Sequence, residues 1–334
     1  MNLKKELQRI TSVFFEDTKD YSKSFSALKK YKKLLLGISN ETINNEEHRN
    51  NVLFENGIAI GTLWAANCLD DLVRTLKFII GINIAIQEKI QQKDSLHILY
   101  AGTGPFASLI LPFILKYADL NITYTLLEVN PLSFETLKST IKKLGFETNN
   151  INFINQDATK YQFPKNFSPD IIISETMQRA LDSEQQVSIF YNLMRQSDSD
   201  TIFIPEKITL AIGTGSSKVK KTDIQQKCYL KHNNVFEVSK KAMNSNDWLF
   251  EKTSNKLDFT KKHTVLKEEE LSTASEIVVM TEITIYRNEK LIINESGLTI
   301  PKYIKDVSDN KKESLTIKSQ YVIGSEPKLE LKIV

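Results

Sequence analysis

Polar and apolar positions along the chain fall into three textures. Over residues 1–50 apolar side chains recur at helical spacing. Leu3, Leu7, Ile10 and Phe14 share one face amid lysines, which predicts an N-terminal helical extension packed on a larger body. From 51 to 205 the rhythm alternates. Asp70–Gln91 repeats apolar residues at helical intervals (Leu72, Val73, Leu76, Ile79, Ile80) and predicts a helix, whereas Leu96–Ala101 is a short apolar run ending at glycine and predicts a buried strand. A helix is expected over Phe106–Tyr117, kinked at Pro112, and another over Pro131–Leu144, opened by proline and closed by Gly145. A third is expected over Ser183–Arg195, capped by Ser183, with strands over Asn121–Val129, Ile151–Asn155, Asp170–Ser174 and Thr201–Ile204. Such alternation builds a parallel sheet with helices on both faces, an α/β class with a Rossmann-like core over 51–205. Beyond 206 the segments ITLAIGT, SEIVVMTEITIYR, KLIINES, SLTIKSQYVI and KLELKIV are short and β-branched. They predict an antiparallel β domain over 206–334. Gly215–Lys262 is polar and lysine-rich and follows neither pattern; its apolar knot, Asp247-Trp248-Leu249-Phe250, reads as a loop anchor in preference to a dimer contact.

Composition narrows the partners. Hydrophobic residues make up 41% and charged residues 25%, as in soluble globular chains. With 44 basic against 41 acidic residues the net charge is +3, too even to point to nucleic acid or an anionic membrane. The most apolar stretches, Gly57–Ala66 and Leu109–Leu115, fall short of the roughly 20 residues that span a bilayer. The first twenty residues alternate charged and apolar positions without the apolar run of a signal peptide, so a cytoplasmic chain is expected. Cys68 and Cys228 are far apart and lack metal-ligand spacing, so neither a disulfide nor a metal site is expected. His48, His97, His232 and His263 sit in no catalytic context.

Candidate chemistry begins at Ile98-Leu-Tyr-Ala-Gly-Thr-Gly-Pro-Phe106, where a buried strand runs into Gly102-x-Gly104. Glycines there let the backbone turn tightly and approach a ligand. Glu128 closes the second strand 24 residues after Gly104 and is placed to accept from the ribose hydroxyls of an adenosine. Asp157 follows the third strand, where it can accept from an adenine amino group. Ala107 also fits the third small position of a dinucleotide fingerprint, so spacing alone leaves a nicotinamide cofactor open. Pro105 leans against it by removing one N–H from a pyrophosphate cradle.

The glycine turn resembles the first motif of class I S-adenosylmethionine (SAM)-dependent methyltransferases, with Tyr100 in place of the acidic residue and Phe106 in place of the third glycine. Two further stretches resemble the protein arginine methyltransferase family. Asp71-Leu-Val73-Arg74-Thr75 is similar to the helix whose arginine binds the SAM carboxylate, and Ser174-Glu175-Thr-Met177 opens a loop that reaches Glu184 nine residues after Glu175. In that family two glutamates hold the substrate guanidinium, and the sheet passes, as at Phe203-Ile204-Pro205, into a β domain. The resemblance implies SAM as cofactor, Arg74, Gly102, Gly104, Glu128 and Asp157 as its binding residues, Glu175 and Glu184 as the catalytic pair, and a homodimer. The chain departs from the family at its paired tyrosines, replaced by Phe54-Glu-Asn-Gly-Ile-Ala-Ile-Gly61, and at its Thr-His-Trp loop, where Leu298-Thr299-Ile300-Pro301 stands nearest. Four readings stay open: N-methylation of a small guanidine, amine or peptidyl arginine; methylation of oxygen, carbon or sulfur in a small metabolite; a non-catalytic binding protein; and a nicotinamide enzyme.

Overall fold

The computed structural model describes residues 2–16, 21–146, 150–218, 226–245, 248, 250–253, 256–308 and 314–334. The chain opens with helices α1 (Leu3–Thr11) and α2 (Tyr21–Ile43). Leu7, Ile10 and Phe14 turn inward, as do Ala27, Leu28, Tyr31 and Leu35 one helix later. A hairpin follows, β1 (Val52–Phe54) and β2 (Gly57–Ala59), and then α3 (Thr62–Asn67) and α4 (Leu72–Ile90). Asp71 starts α4 by accepting the Arg74 amide at 3.1 Å, satisfying a donor that the first helical turn leaves free.

The central sheet comprises β3 (Ser95–Ala101), β4 (Asn121–Leu127), β5 (Ile151–Ile154), β6 (Ile171–Ser174) and β7 (Ile202–Ile204), with α5 (Leu111–Lys116), α6 (Pro131–Lys143) and α7 (Gln186–Met194) between them. All neighbours run parallel in the order β5-β4-β3-β6-β7. Strand order reverses between β3 and β6, and in open α/β sheets ligands bind beyond the carboxyl ends of the strands at that point. Both strands are apolar on both faces: Ile98, Leu99 and Ala101, and Ile171, Ile172 and Ile173, are fully buried.

Two expected helices begin later than the pattern predicts. The chain from Gly104 to Ile110 is turn, and α5 begins only at Leu111, with Pro112 in its first turn where it starts the helix rather than kinking it. Positive φ at Gly104 (61°) and Ala107 (46°), outside the right-handed helical region, explains the delay. Ser183 is not a cap: it sits at φ 64°, its amide donates to the Pro327 carbonyl at 2.7 Å, and α7 starts at Gln186. KLIINES is strand only at its start.

The C-terminal region contains β8 (Lys207–Lys218), β9 (Gln226–Val238), α8 (Lys240–Met243), β10 (Phe250–Thr253), β11 (Lys256–Phe259), β12 (Lys262–Lys267), α9 (Glu268–Leu271), β13 (Glu276–Tyr286), β14 (Glu289–Leu291), β15 (Lys302–Asp306), β16 (Ser314–Ile323) and β17 (Lys328–Ile333). These form two five-stranded antiparallel sheets, β14-β13-β8-β9 with β15 also on β13, and β10-β11-β16-β12 with β17 also on β16. The described part of 215–262 is built into both sheets. Trp248 is buried against Phe236 and Phe259 and donates its indole N–H to the Glu237 carbonyl at 2.8 Å, as an anchor would; Asp247 and Leu249 lie outside the described residues. Among the described residues no helix is long and apolar enough to cross a membrane.

Candidate active site

One cavity lies at the reversal point, about 860 Å³ when the open solvent at its mouth is included. Its floor is the turn after β3. Gly102 and Gly104 adopt φ 74° and 61°, which residues with a Cβ rarely tolerate. Gly102 is hemmed in besides: an added Cβ would stand 2.2 Å from the Thr176 methyl, so the turn and the loop after β6 close together only with glycine here. The Gly102 amide donates to the Leu127 carbonyl at 2.8 Å, and the Gly104 amide to the Glu128 carboxylate at 2.7 Å. A second amide, from Asn130, reaches the other Glu128 oxygen at 2.8 Å. Burial pushes the Glu128 carboxyl above its usual range, while these amides pull the other way.

Across the cavity α4 delivers Arg74, and the loop after β6 delivers Glu175. The Arg74 guanidinium lies 3.1 Å from the Glu175 carboxylate and donates to the Cys68 carbonyl. Both side chains are about nine-tenths buried, at 10% and 8% exposure. Burial is the largest single influence on Arg74 and works against its charge, but Glu175, Cys68 and Asp71 together outweigh it and hold the guanidinium above its ordinary range. Burial pushes Glu175 up to about 7, with Arg74 pulling the other way. Glu184 is pushed to about 8, first by burial and then by Glu175 beside it, while a hydrogen bond with Gln178 and the charge of Arg74 oppose the rise. Three buried carboxyls therefore share a cavity with one guanidinium, an arrangement suited to cationic ligands.

The Glu175–Glu184 loop is held from two sides. Ala180, Leu181 and Ser183 all have positive φ, at 60°, 55° and 64°, conformations that persist only where surroundings enforce them. Thr281 accepts the Ala180 amide at 2.9 Å, Tyr321 donates to the Leu181 carbonyl at 2.7 Å, and Lys302 pairs with Asp182 at 2.5 Å, all from the β region. From the other side the Ile58 amide donates to the Ser183 carbonyl at 2.9 Å, and Gln185 bonds Asn56 at 2.6 Å. Asp71 ties α4 to the loop near Leu298: its second oxygen accepts from the Ser296 hydroxyl at 2.6 Å and the Gly297 amide at 2.9 Å.

Arg74, Gly102, Gly104, Glu128, Glu175 and Glu184 thus all line one cavity. Asp157 does not join them. Its neighbours Gln156 and Ala158 line the wall, while its own carboxylate turns back to the Thr159 amide at 2.8 Å. Ile58 and Ala59 of the hairpin, with Ile60, Ala65, Cys68 and Tyr100, also line the wall without having been singled out for it by spacing. Asn56-Gly57 between two β-forming triplets was the available sign of that hairpin. None of the four histidines lines the cavity.

No protein-family model matches the chain, and no curated protein matches it. Among solved structures it is similar to a chain of the Trypanosoma brucei PRMT1 enzyme-prozyme heterotetrameric complex with AdoHcy. The identity is 12% and the TM-score 0.50, over 80% of this chain and 96% of that one. At that identity the likeness is one of fold: a Rossmann-like core of parallel sheet and flanking helices, followed by an antiparallel β domain.

Proposed function

We propose that the chain is a SAM-dependent N-methyltransferase whose acceptor is a guanidino nitrogen held by Glu175 and Glu184. The observation that carries this reading is the convergence of the glycine turn, Glu128, Arg74 and both glutamates on one cavity. The residues present fit the cofactor. Gly104 leaves open backbone, with 3.5 Å between an added Cβ and its nearest neighbour, Ala65. Glu128 keeps lone pairs for ribose hydroxyls, and Arg74 would take the methionine carboxylate. The Thr75 hydroxyl, buried on the cavity wall with no hydrogen-bond partner among the described residues, supplies one more polar contact. Asp157 would need to turn from the Thr159 amide to meet an adenine.

When bound, SAM supplies a methyl group on a positively charged sulfur. The chain's own contribution is placement and charge. Two carboxylates pair with a planar guanidinium in a fixed plane, which orients one nitrogen and draws positive charge away from it. Holding the acceptor in place and stabilising developing charge carry most of the rate of such a transfer. A carboxyl pushed to about 8 also stands ready to keep the proton that the nitrogen releases. Free arginine, a small guanidine and peptidyl arginine all satisfy this chemistry.

The test is label transfer from SAM to free arginine, a small guanidine and an arginine-rich peptide. Transfer to any of them is expected; binding of S-adenosylhomocysteine with no transfer to a guanidine overturns the acceptor and favours an oxygen, carbon or sulfur nucleophile. The pH dependence follows from the two carboxyls at about 7 and 8. Each must be ionised to hold a cation, so kcat/KM for the acceptor is expected to rise with pH through that interval and level off above it. A profile flat from about pH 6 to pH 9 counts against the pair as the guanidinium holder.

A further inference from the structure

Tyr31 and Lys32 are neighbours on α2 yet reach two separate segments: Tyr31 a residue of the cavity wall, Lys32 the residues on either side of another, Cys68. Tyr31 is fully buried and donates its hydroxyl to the Ser108 carbonyl at 2.9 Å. Ser108 lines the cavity within the irregular stretch after Gly104. The Lys32 ammonium reaches Asn67 at 3.1 Å and Asp70 at 2.6 Å. Those two residues bracket Cys68, whose carbonyl accepts from Arg74, and they lead directly into the Asp71 cap of α4.

The turn needs outside support. Positive φ at Gly102, Gly104 and Ala107 keeps the chain from entering a helix before Leu111; the Ala107 carbonyl is met within the stretch by the Ile110 and Leu111 amides, while the Gly102 and Gly104 amides and the Ser108 carbonyl bond to other elements. Leu127 and Glu128 hold its first half through the Gly102 and Gly104 amides. Tyr31 holds its second half. The ring is itself fixed, edge to face with Phe14 at 5.8 Å between centroids.

We infer that helix α2 is part of the cofactor site, Tyr31 and Lys32 acting as positioning residues that hold the glycine turn and the start of the arginine helix at a set separation. The inference rests on the SAM reading above for its ligand. It gives the N-terminal extension a role in gripping SAM at both ends, the ribose side through the turn and Glu128, the carboxylate side through Arg74.

Tyr31→Phe removes the hydroxyl and keeps the ring. Its KM for SAM and its Kd for S-adenosylhomocysteine are expected to rise by a factor of roughly 3 to 10, the loss of one hydrogen bond. Acceptor KM and kcat should hold, whereas a general loosening of the fold would lower kcat and Tm together. Lys32→Gln, at a partly exposed position, serves as the second variant and should move SAM affinity in the same direction. Hydrogen exchange of the ligand-free proteins separates this inference from the SAM reading. Amides of 102–110 should exchange faster in Tyr31→Phe, and those of 67–75 in Lys32→Gln. A wild type that binds no S-adenosylhomocysteine ends the SAM reading, and exchange then judges the positioning role alone. Unchanged affinity in both variants beside a wild type that binds, or unchanged exchange in both segments, overturns the inference.

Discussion

Glu184→Gln is expected to lower kcat by at least about a hundredfold while leaving S-adenosylhomocysteine affinity within about threefold. The amide keeps size and shape but cannot balance a guanidinium, and Glu184 sits in the loop after β6, whereas the glycine turn and Glu128 follow β3 and β4. The same change should stabilise the fold at high pH. Glu184 titrates at about 8 in the folded chain, against an ordinary 4.5. A carboxyl whose folded value is raised favours the fold while protonated and loses that contribution as pH rises through about 8. Wild type and variant should therefore melt alike near pH 4.5. At pH 9 the variant should be more stable by something on the order of 2–4 kcal/mol, allowing for relaxation around a buried charge. Urea unfolding at the two pH values measures the difference. Lower turnover together with higher stability marks a group kept for chemistry at the expense of the fold; unchanged turnover removes Glu184 from the site.

Arg74→Met is the second large effect. Arg74 is the cation paired with buried Glu175, at 3.1 Å. Removing one partner of a buried pair costs about 3–5 kcal/mol because the remaining charge is left without compensation. The loss should be greatest above pH 7 and smaller below, where Glu175, freed from the cation that restrains its pKa, takes up a proton instead. S-adenosylhomocysteine binding should fall by roughly tenfold or more, the worth of a charged hydrogen bond. Adding Glu175→Gln to Arg74→Met separates the two roles. The double variant should recover most of the stability and none of the binding. A double variant no more stable than the single one refutes the pairing, and full retention of binding refutes Arg74 as the carboxylate partner.

Much of this architecture was legible in the sequence because the signals were periodic and local. The alternation of apolar runs and helical stripes gave the order of strands and helices in the core, and Pro131 and Gly145 marked the ends of their helix. β-Branched alternation marked the β region. The errors fall where backbone conformation departs from what side-chain period reports. Phe106–Tyr117 carries a helical rhythm, yet Ala107 at φ 46° breaks it, and Ser183 looks like a cap but sits at φ 64°. Asp157 has the right position after β5, and its carboxylate nonetheless serves its own turn through the Thr159 amide.

The sequence by itself determined the candidates: a glycine turn after a buried strand, an acid after the next, an arginine upstream and two glutamates nine residues apart. Each follows from residue type and spacing along one stretch of chain. Only the tertiary structure decided that they share one cavity, because strand order reverses between β3 and β6 and brings the ends of distant segments together. It also decided their charge states, since burial raises both glutamates and joins Arg74 to Glu175. Neither desolvation nor a contact across a hundred residues leaves a mark on local spacing.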